Sequence, residues 1–216
     1  MANPIWSQGR AAEAESLLKE ALEIERRVLG YENGTTLDTM GTLAEYYLDD
    51  GKCALAEPLF RKELETITRS STNSRRAPYA ASELAWTILI GPGRTGSRIV
   101  EALQLARTAT RAHPDSQDLT MTLGLAEYRS GDSGAAIENL TRALQISQPT
   151  DPRLSFLLAM AQWRHGERKD ALRNFSNGVE GMKGDSSLKF SQRVLWTEAA
   201  TVLGQSAPPF LQAKTQ

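Results

Sequence analysis

Apolar side chains recur along this chain at three- and four-residue intervals, in successive blocks that each end at a Gly- or Pro-containing break. From Arg10 to Leu29, residues Leu17, Leu18, Ala21, Leu22, Ile24 and Val28 form one stripe, with charged residues on the other side. That spacing predicts an amphipathic helix. The next pair of blocks carries Leu37, Met40, Leu43, Ala44, Tyr47 and Leu48, then Leu55, Ala56, Leu59, Phe60 and Leu64, with Gly51 between them. Gly51 predicts a helix end where the backbone turns through positive φ, and Pro58 is expected in or near the first turn of the second helix. Further pairs follow at Pro78 to Ile90 with Arg98 to Ala112, at Gln117 to Ile146, and at Pro152 to Met182. A last amphipathic block runs from Leu188 to Leu203.

The blocks repeat. A Gly followed five residues later by an Ala occurs at Gly9/Ala14, Gly51/Ala56, Gly131/Ala136 and Gly166/Ala171, and Ala102 continues the series after the longer turn Gly91-Pro92-Gly93-Arg94-Thr95-Gly96. Self-similarity at 34 to 42 residues predicts an all-α solenoid of antiparallel helix hairpins. The reading divides the chain into N-terminal units over 1–70, three further units over 71–182, and a capping helix with a tail over 183–216. The first unit is incomplete, because only Pro4, Ile5 and Trp6 precede its second helix. The polar stretch from Ser70 to Ser74 is the best internal linker.

A small residue, a larger apolar residue four on, and another small residue recur as Ala14/Leu18/Ala21, Ala56/Phe60/Glu63, Ala102/Ala106/Ala109, Ala136/Leu140/Ala143 and Ala171/Phe175/Gly178. First helices supply Leu43/Ala44, Leu84/Ala85, Leu123/Gly124 and Leu158/Ala159. In this pattern the chain resembles the tetratricopeptide repeat (TPR) family, whose fold is a right-handed superhelix of such hairpins. Glu63 departs from it, at a position that is normally small. The first two units look like kinesin light chain-like repeats. The later ones look like the repeat tails of large planctomycete-type bacterial proteins, where such arrays are joined to serine/threonine kinase or WD-repeat domains. The resemblance implies a bacterial interaction scaffold, or alternatively the regulatory segment of a larger signalling protein.

In the family, first helices line a concave groove. Transferring those positions gives Asp38, Thr42, Glu45 and Asp49, then Tyr79, Ser82, Glu83, Trp86 and Leu89. The fourth unit adds Asp118, Met121, Thr122, Leu125, Tyr128 and Arg129, and the fifth Arg153, Phe156, Leu157, Met160, Trp163 and Arg164. Aromatic, Met and Arg side chains anchor interfaces, so Tyr79, Trp86, Met121, Leu125, Tyr128, Arg129, Arg153, Phe156, Met160, Trp163 and Arg164 form the expected partner-binding groove. Trp86, Phe156 and Trp163 serve equally well as packing between repeats. Arg129 and Arg164 occupy equivalent positions one repeat apart and are expected to grip a carboxylate together. The first-helix Asn of the chaperone-tail clamp is missing.

Composition narrows the function without naming a partner. Basic and acidic residues number 8 and 13 in 1–70 but 17 and 13 in 71–216, a bias too weak to argue for nucleic acid. Cys53 is the only cysteine, which excludes a disulfide framework, and a small buried thiol is expected. No secretory leader or membrane-length apolar run is evident, so the cytoplasm is the default compartment. The glycine turn at 91–96 lacks the Lys-Ser/Thr and preceding strand of a phosphate loop. His113 and His165 stand apart from any carboxylate or thiol set. No catalytic, cofactor or metal site is expected. The uncovered face of the first helix points instead to self-association.

Overall fold

The structure is a computed structural model that describes residues 11–70, 75–146, 151–183 and 188–206. Gly9, Arg10, the Pro4 to Trp6 segment, residues 71–74 of the linker, Pro149 and the tail from 207 lie outside the described residues. Among the described residues there are ten helices and no strand. They are α1 (Ala11–Val28), α2 (Gly34–Asp49), α3 (Cys53–Ser70), α4 (Ala77–Ile90), α5 (Gly96–Ala112), α6 (Gln117–Ser130), α7 (Ser133–Ile146), α8 (Pro152–His165), α9 (Arg168–Gly181) and α10 (Phe190–Leu203).

Local chemistry sets the ends. Asp151 caps α8 by accepting a 2.8 Å bond from the Arg153 amide, and Pro152 occupies the first turn where no amide proton is needed. Gly51, Gly131 and Gly166 end α2, α6 and α8 at φ of 78°, 98° and 99°. Pro58 lies further into α3 than its first turn. Pro58 and Ala54 are both exposed, so the Ala54 carbonyl deprived of its helical partner faces water.

Helices pair in sequence as α2/α3, α4/α5, α6/α7 and α8/α9, and α4 touches α6 as α6 touches α8. First helices therefore line the inner side of the stack. At the crossings Ala14, Ala56, Ala102, Ala136 and Ala171 are fully buried. The glycines are tighter still: a Cβ on Gly124 would lie 2.5 Å from Leu140 Cγ, and one on Gly178 would lie 2.7 Å from the Phe156 ring. Glu63, which breaks the small-residue rule, is accommodated by a compensating pair. Its carboxylate accepts a 2.6 Å bond from Arg76 Nε, and Gly41 opposite leaves the space. Burial pushes the Glu63 pKa up while Arg76 opposes the shift. Cys53 is buried, and burial raises its thiol pKa too.

The final helix does more than cover the end of the stack. It packs chiefly on α8, with further contacts to α9, α2 and α4, and so lies along the inner side. Leu195, Ala199 and Leu203 form its buried stripe. At its start the Phe190 ring covers Gly51, where a Cβ would come within 2.8 Å of the ring, and Lys189 Nζ lies 3.0 Å from Asp49 Oδ2. These contacts tie the C-terminal helix back to the second unit.

Gly124→Ala should lower the denaturation midpoint, with a loss of about 1–3 kcal/mol from forcing Leu140 off its seat. Gly134→Ala, where the added methyl meets only atoms 3.8 Å away or more, should be neutral or mildly stabilising. Equal midpoints for the two variants in urea titrations would contradict the close-crossing account.

Candidate functional site

The residues of the expected groove lie on α4, α6 and α8, and α10, packed chiefly on α8, covers part of that side. Met121, Leu125, Tyr128, Phe156 and Met160 are buried, in one hydrophobic cluster with Leu195, Ala199 and Leu203 of α10. Phe156 is a packing residue, because it fills the space left by Gly178 and meets Phe175 edge-on at 5.8 Å. Trp86 is also buried and carries the Arg153 guanidinium 5.3 Å from its ring centroid. Trp163 is half-buried beneath Arg168, whose guanidinium lies 3.9 Å from its ring. Tyr79 alone among the expected aromatic positions stands exposed, stacked on His113 at 5.4 Å.

Arg129 and Arg164 do converge, but not as a free grip. Arg129 makes a two-pronged pair with the carboxylate of Glu198 on α10. Its side chain is only 10 % exposed, so this carboxylate neutralises a charge that would be costly to leave alone. Arg164 donates to the Tyr128 carbonyl at 2.7 Å and lies 4.5 Å from the Tyr128 ring. Sequence reasoning missed that the chain supplies its own acid. The signal was present as a Glu on the amphipathic last block, yet periodicity does not say which surface receives a helix.

Further toward the N-terminus the same face remains open and acidic. Glu45, Asp49, Glu83 and Asp118 line a cavity of about 190 Å³ with Trp86, Arg153 and Lys189. Asp49 is matched by Lys189, and Arg153 is held at 2.6 Å by Asp151 while standing 3.7 Å from Asp118. Among the described residues, Glu45 and Glu83 make no such bond. The pKa of Glu83 is pushed up to about 7, chiefly by desolvation and then by the neighbouring carboxylates Glu45 and Asp118. Glu45 is raised for the same reasons, with Asp49 as its repelling neighbour.

The glycine turn between α4 and α5 anchors itself through Arg94, which donates to the Leu89 carbonyl at 3.2 Å. Among the described residues, no group of three or more His, Cys, Asp or Glu side chains has the geometry to hold a metal ion. None of the described helices is long and apolar enough to cross a membrane.

Glu198→Ala should leave Arg129 buried without a counter-ion and cost about 2–4 kcal/mol. Arg129→Met combined with Glu198→Leu should recover most of that loss. A double variant no more stable than Glu198→Ala would contradict a pairing role.

Among curated proteins none matches this sequence. Solved structures do. One is a thermophilic TPR protein of Thermus thermophilus, 20 % identical with a TM-score of 0.64 over 93 % of this chain and 95 % of that one. Another holds kinesin light chain nearly identical TPR-like repeats of Podosopora anserina, 20 % identical with a TM-score of 0.64 over 84 % of this chain and 91 % of that one. A third is MamA of Desulfovibrio magneticus RS-1, 18 % identical with a TM-score of 0.58 over 86 % of this chain and 93 % of that one. At such identities the likeness speaks to the fold. Two family profiles, each described as tetratricopeptide repeat, match residues 1–68 and 97–152, together more than half of the chain. With its hairpins, crossings and inner face arranged as above, the chain belongs to the tetratricopeptide repeat family.

Proposed function

We propose that this chain, like tetratricopeptide repeat proteins in general, is a non-enzymatic interaction scaffold, and that it holds a segment of a partner protein on its concave face. The observation that supports the reading is α10 itself: this face accommodates a helix through an apolar stripe and one charge-assisted pair. The buried Tyr128 and the paired Arg129 belong to that internal contact, so substitutions there test folding. Exposed positions test function.

With p-benzoylphenylalanine in place of Tyr79 on the inner face, irradiation in cells should yield a discrete adduct with one partner. The same residue in place of the exposed Glu138 on α7 should not. Identical adducts from both positions, or none from position 79, would overturn the reading.

A second reading is self-association, favoured by the exposed stripe Leu17, Ile24 and Val28 on α1 at 46 %, 45 % and 68 % exposure. Sedimentation should show a concentration-dependent dimer that Ile24→Glu abolishes. A wild-type chain that stays monomeric at high micromolar concentration rules it out.

A further inference from the structure

The part of the concave face that α10 leaves open is the acidic part. The cavity beside Trp86 adjoins a second of about 320 Å³, lined by Gly41, Glu63, Arg76 and Tyr79, and the two share Glu45 and Glu83 as a common wall. Every cation on these walls is already committed. Arg76 is held by Glu63 and Asp38, Arg153 by Asp151, and Lys189 by Asp49. Among the described residues, Glu45 and Glu83, on adjacent first helices, are the lining carboxylates without an ion pair. The pKa values of both are raised, first by burial and then by the neighbouring negative charge.

We propose that this stretch is a receptor for an arginine-bearing segment of a partner protein, whose guanidinium enters between Glu45 and Glu83. Charge complementarity carries the choice of a basic occupant, because an acidic segment would add to an excess of carboxylates. Arginine is favoured over lysine by the geometry. A planar fork of five donors satisfies two carboxylates at once, which a single ammonium does less well. Tyr79 adds an exposed ring at the mouth of the second cavity. The inference rests on the reading that this face holds a partner and adds the partner's chemistry.

Binding also acquires a pH dependence. The charged groups that share the space around Glu83 are Glu45 and Asp49 from α2, Glu63 from α3, Arg76 just before α4, Asp118 from α6, Arg153 from α8 and Lys189 just before α10. A carboxyl that titrates near 7 must lose its proton to accept a guanidinium. Its ionised fraction, and with it the affinity, rises about tenfold between pH 6 and pH 8.

The test uses fluorescein-labelled dodecapeptide pools, random in Ala, Ser, Leu and Tyr except for two fixed arginines, with matched pools carrying lysine or glutamate. The arginine pool should bind the full chain at least about tenfold more tightly than the glutamate pool, and more tightly than the lysine pool. Glu45→Gln with Glu83→Gln should weaken it about tenfold or more, with the melting curve retained. Glu20→Gln with Glu138→Gln, the same change in net charge on exposed outer positions, should leave binding within about twofold. Equal weakening by both pairs, equal affinity for the glutamate pool, or loss of binding as pH rises would overturn the proposal. The crosslinking experiment at position 79 reports a partner of any charge, so it separates failure of this inference from failure of the scaffold reading.

Discussion

Close approach of helix backbones is the constraint on which the structure depends. Alanines at 14, 56, 102, 136 and 171 have no exposed surface, and Gly124 and Gly178 admit Leu140 and Phe156 where a Cβ would collide. Interiors packed to this density transmit any added volume as displacement of a helix. In a stack each hairpin is the template for the next, so such a displacement tilts everything that follows. Glu63 shows how narrowly an exception is admitted. It takes a buried place at a crossing only because Arg76 neutralises it and Gly41 leaves room for both.

Electrostatics then divide the concave side into two parts. At the C-terminal part a guanidinium meets a carboxylate inside the chain, Arg129 with Glu198, and α10 is fixed there by charge as well as by Leu195, Ala199 and Leu203. At the N-terminal part carboxylates outnumber their partners. The difference follows from which residues each first helix places inward: Arg129 and Arg164 on α6 and α8, Glu45 and Glu83 on α2 and α4. On the proposed reading, the stretch already neutralised stays closed and the one with unmet charge takes a ligand.

The repeat pattern made the hairpins, the small crossings, the glycine helix ends and the buried Cys53 legible before any coordinates. All of these are local or periodic, and periodicity is what a sequence displays directly. The groove was legible as a set of positions but not as a surface. Phe156 and Met160 sit at ligand-facing registers of the repeat, yet Phe156 is drawn into the Gly178 crossing and Met160 is buried in the core cluster to which α10 contributes Leu195, Ala199 and Leu203. The docking of α10 depends on a contact between Arg129 and Glu198, 69 residues apart, and no local signal encodes such a pairing. The acidic stretch was visible as Glu45, Asp49, Glu83 and Asp118 on first helices, but which of them lacked a cation required the positions of Lys189 and Arg153.

Placement of α10 along the concave side divides the face into its closed and open parts, so a distance measurement across it is the most direct test. Spin labels at the exposed positions 50 and 193, in a Cys53→Ser background, lie on either side of the Asp49–Lys189 contact and leave both its residues in place. Double electron–electron resonance should give a single narrow distribution at the short limit of the method. A broad distribution, or one centred at long distances as for a helix that merely continues the stack, would contradict the account.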